Sequence, residues 1–105
     1  MQAVSLGLVT DTAGASTPLT ADKTIRCAKI IFRARNANTG LVNVGLTGFT
    51  AGGAGMIGEI LKPASGYSDA IEIGEDGGDN IYYPADYAVK PAVNGEGVYV
   101  TYWIR

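Results

Sequence analysis

Glu75, Asp76 and Asp79 place three carboxylates within five positions of a glycine-containing turn, the nearest this chain comes to a ligand-holding cluster. Hard cations need several oxygens gathered by a flexible loop, so Glu75-Asp76-Gly77-Gly78-Asp79-Asn80 is a weak calcium candidate. It lacks the closing glutamate and flanking helices of an EF-hand. A solvated acidic turn is the favoured reading, with no metal and no cofactor expected. Catalysis is poorly provided for, because the 105 residues include no histidine. That removes the usual general acid–base, the Ser-His-Asp and Cys-His arrangements, and the commonest zinc ligand. Carboxylate pairs drawn from Glu59, Glu72, Glu75, Asp76, Asp79 and Asp86 could in principle serve glycoside hydrolysis. Most of these fall in turns, and so small a domain leaves little room for a sugar cleft. Five glycines between Thr47 and Gly58 invite a phosphate-binding reading, but the lysine and Ser/Thr of a Walker A motif are missing. No enzyme is expected, and no catalytic residue is assigned.

Two other groupings suit contact rather than chemistry. Five of the eight basic residues lie between Lys23 and Arg35. Lys29, Ile31, Arg33 and Arg35 alternate with Ala28, Ile30, Phe32 and Ala34, so a strand here has one basic and one dry face. Lys29, Arg33 and Arg35, with Arg26 in the other register, are either a solvated face or a contact surface for an acidic protein or a second copy. Arginine's planar donor fork favours interfaces. Tyr82, Tyr83, Tyr87, Tyr99, Tyr102 and Trp103 crowd the last quarter of the chain. Alternation cannot turn all of them inward, and Tyr99 and Trp103 take the outer phase of the final strand. An exposed aromatic strip is a subunit interface or a sugar-stacking platform. The interface is favoured, since no cluster of Asn, Asp and Gln stands beside the strip. A net charge of −2 and an inward Phe32 argue against nucleic acid as a partner.

These residues need strands to hold them. Val4, Leu6 and Leu8 alternate with Ser5 and Gly7 as a first strand, ending in the small residues 10–16. Residues 28–46 read as a hairpin around Asn36-Ala37-Asn38-Thr39-Gly40. Thr47 to Gly58 is mostly irregular, Met56 to Leu61 is extended, and Pro63-Ala64-Ser65-Gly66 stops it. Ala70 to Ile73 is short. Tyr87 and Val89, running toward Val93, form a penultimate strand interrupted by Pro91, and Asn94-Gly95-Glu96-Gly97 signals a second hairpin into Val98–Ile104. No helical period is sustained. The expected fold is all-β: an antiparallel β-sandwich, jelly-roll-like, of about 7–8 short strands, with a small closed barrel as the alternative.

The length allows a single domain, residues 1–105, with one modest core. The one cysteine, Cys27, excludes an intrachain disulfide and reads as a buried, inert thiol. No signal peptide or membrane span is evident, so no membrane partner is expected and synthesis is placed in a cytoplasm.

The order of short motifs adds a resemblance. Ala34 and Asn38-Thr39-Gly40 lead into Val42-Asn43-Val44-Gly45. Gly58-Glu59-Ile60-Leu61-Lys62-Pro63, Asp79-Asn80-Ile81-Tyr82 and Asn94-Gly95-Glu96-Gly97-Val98-Tyr99-Val100-Thr101-Tyr102 follow. Over residues 25–105 the chain resembles the small all-β virion proteins of tailed bacteriophages, including capsid decoration (cement) proteins. The resemblance implies a non-enzymatic protein, made in the host cytoplasm and located on the virion capsid surface. It would bind the major capsid protein, or another virion protein, as a homo-oligomer, a dimer or trimer. A tail or baseplate structural protein and a carbohydrate-binding module for host-surface attachment are the alternatives.

Overall fold

Strands that alternate apolar and polar side chains must cover their dry faces with a second layer. In the computed structural model that layer is a second antiparallel sheet. The structure describes residues 2–13, 15, 17–50, 52–60, 70–75 and 79–104. One sheet, A, has the strand order β1 (Gln2–Thr10), β7 (Gly97–Ile104), β2 (Lys29–Ala34), β5 (Ala70–Gly74). The other, B, has the order β4 (Met56–Ile60), β3 (Val42–Leu46), β6 (Tyr87–Pro91). The expected all-β class holds, and the sheets stay separate rather than closing into a barrel. A 3₁₀ turn, Pro84–Asp86, leads into β6.

The core follows the alternation. Ile30 and Phe32 from β2, Val98 and Val100 from β7, Val42 and Val44 from β3, Ile60 from β4 and Val89 from β6 are fully buried. Each such side chain contributes roughly 1.5–3 kcal/mol relative to an exposed position. The basic strand therefore has its inward face locked in the core, which fixes where its outward face points.

Three sequence expectations are corrected. The stretch 28–46 is not a hairpin: β2 lies in sheet A and β3 in sheet B. Nor is Asn94–Gly97 a hairpin turn, because β6 and β7 also belong to different sheets. Both turns carry the chain between layers, and they satisfy each other instead of their own ladders. Buried Asn38 donates from Nδ2 to the Gly97 carbonyl at 2.8 Å and accepts the Gly97 N–H on Oδ1 at 3.4 Å. The Glu96 Oε2 accepts the Thr39 N–H at 2.7 Å and its hydroxyl at 3.0 Å, while Oε1 accepts the Gly40 N–H at 2.8 Å. Val93 falls in this crossing, beyond β6, and is exposed.

The third correction concerns β1. Val4, Leu6 and Leu8 do not share a face, because the pairing with β7 shifts between Ser5 and Gly7. Gly7 takes φ 75° in this bulge and donates its N–H to Ser5 Oγ at 3.0 Å. Val4 opposes the inward Tyr102, whereas Leu8 opposes the outward Tyr99. The glycine-rich stretch after β3 closes a β3–β4 hairpin, and Met56–Gly58 already belong to β4. Leu61 and the expected stop at Pro63–Gly66 lie outside the described residues.

Candidate functional site

The β2–β7 register unites the two sequence-predicted strips on one surface. Lys29 opposes Trp103, Ile31 opposes Thr101 and Arg33 opposes Tyr99, and directly opposed residues share a face of the sheet. Since Ile30, Phe32, Val98 and Val100 fill the core, all six face outward. The Lys29 ammonium lies 5.2 Å from the centroid of the Trp103 ring. An ammonium at that range is attracted by the ring's π-cloud, contributing about 0.5–1 kcal/mol and fixing both side chains against the sheet. Arg33 is exposed, and Tyr99 keeps 48% of its surface in solvent. Ile31 shares the face but is buried, sunk between Glu72 and Thr101 on the neighbouring strands.

Of the candidates Lys29, Arg33, Arg35, Tyr99 and Trp103, all but Arg35 meet here. Arg35 follows the end of β2 and is half-buried, and its charge acts on Glu96 in the crossing turns. The register adds members that sequence reading missed: Leu8 beside Tyr99, Ser5 beside Thr101, Ala3 beside Trp103 and Glu72 beside Ile31. No local signal marks Leu8, because the bulge alone turns it outward.

The outer face of sheet B is different. Phe49, from the β3–β4 connection, is buried over Gly45, where an added Cβ would come within 2.6 Å of its ring. The Lys90 ammonium donates to the Phe49 carbonyl at 3.2 Å and lies 5.4 Å from its ring centroid. The loop thus folds back over Gly45 of its own sheet, whereas Leu8, Arg33 and Tyr99 on sheet A are exposed.

The other candidates stay apart. Glu75 and Asp79 are exposed, Asp76 lies outside the described residues, and no three His, Cys, Asp or Glu side chains among the described residues could hold a metal together. Among the described residues, three clefts of about 340, 240 and 460 Å³ bring together at most one carboxylate each, Glu75 in the second and Asp86 in the third. The first is lined by Arg26, Cys27, Ile81 and Ile104. Burial pushes the Cys27 thiol up to about 11, and the Sγ donates to the Tyr82 carbonyl at 3.4 Å. Two units above the ordinary 9.0 leave about a hundredfold less thiolate. Iodoacetamide at pH 8 is therefore expected to alkylate the native protein about a hundredfold more slowly than the urea-unfolded chain. Equal rates would show an accessible, ordinary thiol.

No protein-family model, curated protein or solved structure matches this chain.

Proposed function

We propose that this chain is a non-enzymatic structural protein of a tailed-phage virion. In this reading it decorates or cements the capsid exterior as a symmetric oligomer and stabilises the shell by adhesion. The observation that carries it is the outer face of sheet A, where Lys29, Arg33, Tyr99 and Trp103 sit on a rigid scaffold with exposed Leu8 beside Tyr99. Aromatic and arginine anchors on a pre-ordered surface suit protein contact.

Strand order supports the same reading. Pro18 bridges Ala88, so the 17–19 segment flanks β6 as a vestigial strand. Counting it as the second of eight, sheet A runs first, eighth, third, sixth and sheet B runs second, seventh, fourth, fifth. That order supports a jelly-roll reading, two interleaved Greek keys of the kind common in viral capsid and lectin domains. Fold alone does not assign function, so the weight stays on the surface.

The test is binding to purified shells. Arg33→Glu and Tyr99→Ala, both at exposed positions, are expected to keep the fold. Each should weaken shell binding roughly thirtyfold, the effect of about 2 kcal/mol at an interface anchor. A protein that ignores shells, or variants that bind them unchanged, would overturn the proposal. Labelling on tails instead of heads would transfer it to a tail or baseplate role. A glycan platform fits less well, because the Lys29 ammonium already occupies a face of the Trp103 ring that a sugar would use.

A further inference from the structure

The four edges of the two sheets are protected unequally. β5 is a five-residue strand with Glu72 at its centre, and β4 is a five-residue strand carrying Glu59. The β6 edge ends in Lys90 and Pro91 and is covered by the 17–19 segment, where Pro18 bridges Ala88 and the Leu19 N–H donates to the Tyr87 carbonyl at 2.9 Å. Short length, charge, proline and coverage are the usual means of keeping an edge from pairing with another chain. β1 has little of this. It is nine residues long, Gln-Ala-Val-Ser-Leu-Gly-Leu-Val-Thr, with no charge and no proline, and among the described residues its ladder partner is β7 alone. Its one irregularity is the bulge between Ser5 and Gly7.

The packing beside this edge is unfinished too. Val4, Leu6 and Val9 pack on the core yet remain half-exposed, whereas the residues opposing Val9 and Gly7 on β7, Val98 and Val100, are fully buried. At about 3.4 Å per residue, β1 runs about 30 Å, nearly the full 35 Å length of the molecule.

We infer that β1 is a self-association edge: two copies of this chain pair β1 to β1 antiparallel about a two-fold axis and join their A sheets into one eight-stranded sheet. An antiparallel pair of one strand with itself is closed and self-complementary, so every contact is made twice and assembly stops at two. Because β1 is uncharged, no like charges meet in any register of this pairing. Joining also completes the cover over Val4, Leu6 and Val9, and it sets the two outer A faces side by side. This deepens the decoration proposal by naming the edge that makes its oligomer, and it can fail independently of it.

The experiment is sedimentation equilibrium on the isolated protein, without shells, together with hydrogen exchange at two concentrations. The expected result is twice the chain mass, with β1 amides protected more strongly at the higher concentration. The double variant Ala3→Lys/Ser5→Lys changes two exposed positions and should halve the mass while leaving the circular dichroism spectrum unchanged. Ala3→Gln/Ser5→Gln, which also removes the Ser5 hydroxyl from the bulge but adds no charge, should remain a dimer and guards against a merely damaged edge. A wild-type protein that stays monomeric, a trimer or open polymer, or a double-lysine variant that remains dimeric would each overturn the inference. Dimers that ignore capsids would sink the decoration role and leave this edge standing; monomers that bind capsids would do the reverse.

Discussion

Gly97→Ala is expected to lower the unfolding free energy by about 3 kcal/mol or more, among the largest effects available to a single methyl group here. Gly97 opens β7 opposite Thr10, at the point where β1 lies closest to the crossing turns. A Cβ there would land on the Val9 carbonyl oxygen and within 2.8 Å of the Thr10 Cα. Both obstacles are main-chain atoms, so no rotamer change relieves the overlap. Either β1 moves away from β7, or Gly97 shifts and breaks its two bonds to Asn38. For a domain of this size the melting temperature should fall by more than about 12 °C. Gly53→Ala is the control: its added Cβ meets only Thr50, at an ordinary 3.5 Å, in an exposed loop. It should melt within about 0.5 kcal/mol of wild type. Equal melting of the two variants would show that β1 does not approach Gly97 as described.

Glu96→Gln is expected to cost about 1.5–3 kcal/mol at neutral pH, the usual worth of hydrogen bonds to a charged acceptor. Both carboxylate oxygens are used by donors, three in all from Thr39 and Gly40. Glutamine keeps one oxygen and turns an amide N–H₂ toward a main-chain N–H, setting donor against donor. The same contacts determine the pH dependence. Burial pushes the Glu96 carboxyl upward, but the Gly40 and Thr39 N–H groups, the Thr39 hydroxyl and the nearby Arg35 charge outweigh it and hold the group below its ordinary 4.5. An acid whose folded value is depressed contributes stability that is present in full above the unfolded value. That stability is lost as pH falls through the folded one. The gap in unfolding free energy between wild type and Glu96→Gln should therefore be constant from pH 7 down to about 5 and shrink below 4.5. Urea melts across that range check it, and a gap that widens in acid would contradict the geometry. Asp11, held low chiefly by the Thr17 N–H, acts in the same direction in wild type and variant, so it cancels from the difference.

Much of the architecture was legible because side-chain alternation has a physical period. Ile30 and Phe32 inward with Lys29 and Arg33 outward follows from the two-residue repeat of a strand, and the β2 burial pattern agrees. The same holds for Val98 and Val100 against Tyr99 and Trp103. The turns at 36–40 and 94–97 were located correctly but misread in role. Asn and Gly residues report that the chain reverses locally, and they carry no information on which sheet it enters next. That choice rests on the bonds from Asn38 and Glu96 across 56–59 positions of sequence, which no local window contains.

By itself, then, the sequence determined the strand class, the inward and outward phase of β2 and β7, and the absence of histidine chemistry, since each depends on residue type and near neighbours. Tertiary structure alone decided that the basic and aromatic strips form one surface, because the β2–β7 register joins residues 64 to 74 positions apart, Lys29 with Trp103 the most distant pair. It also decided that Arg35 serves the crossing turns and that Leu8 faces out, the first through a long-range charge contact and the second through a one-residue bulge. The packing of Phe49 over Gly45 belongs to the same group: a loop's composition shows that it can bend, but only the packed fold shows what it bends onto.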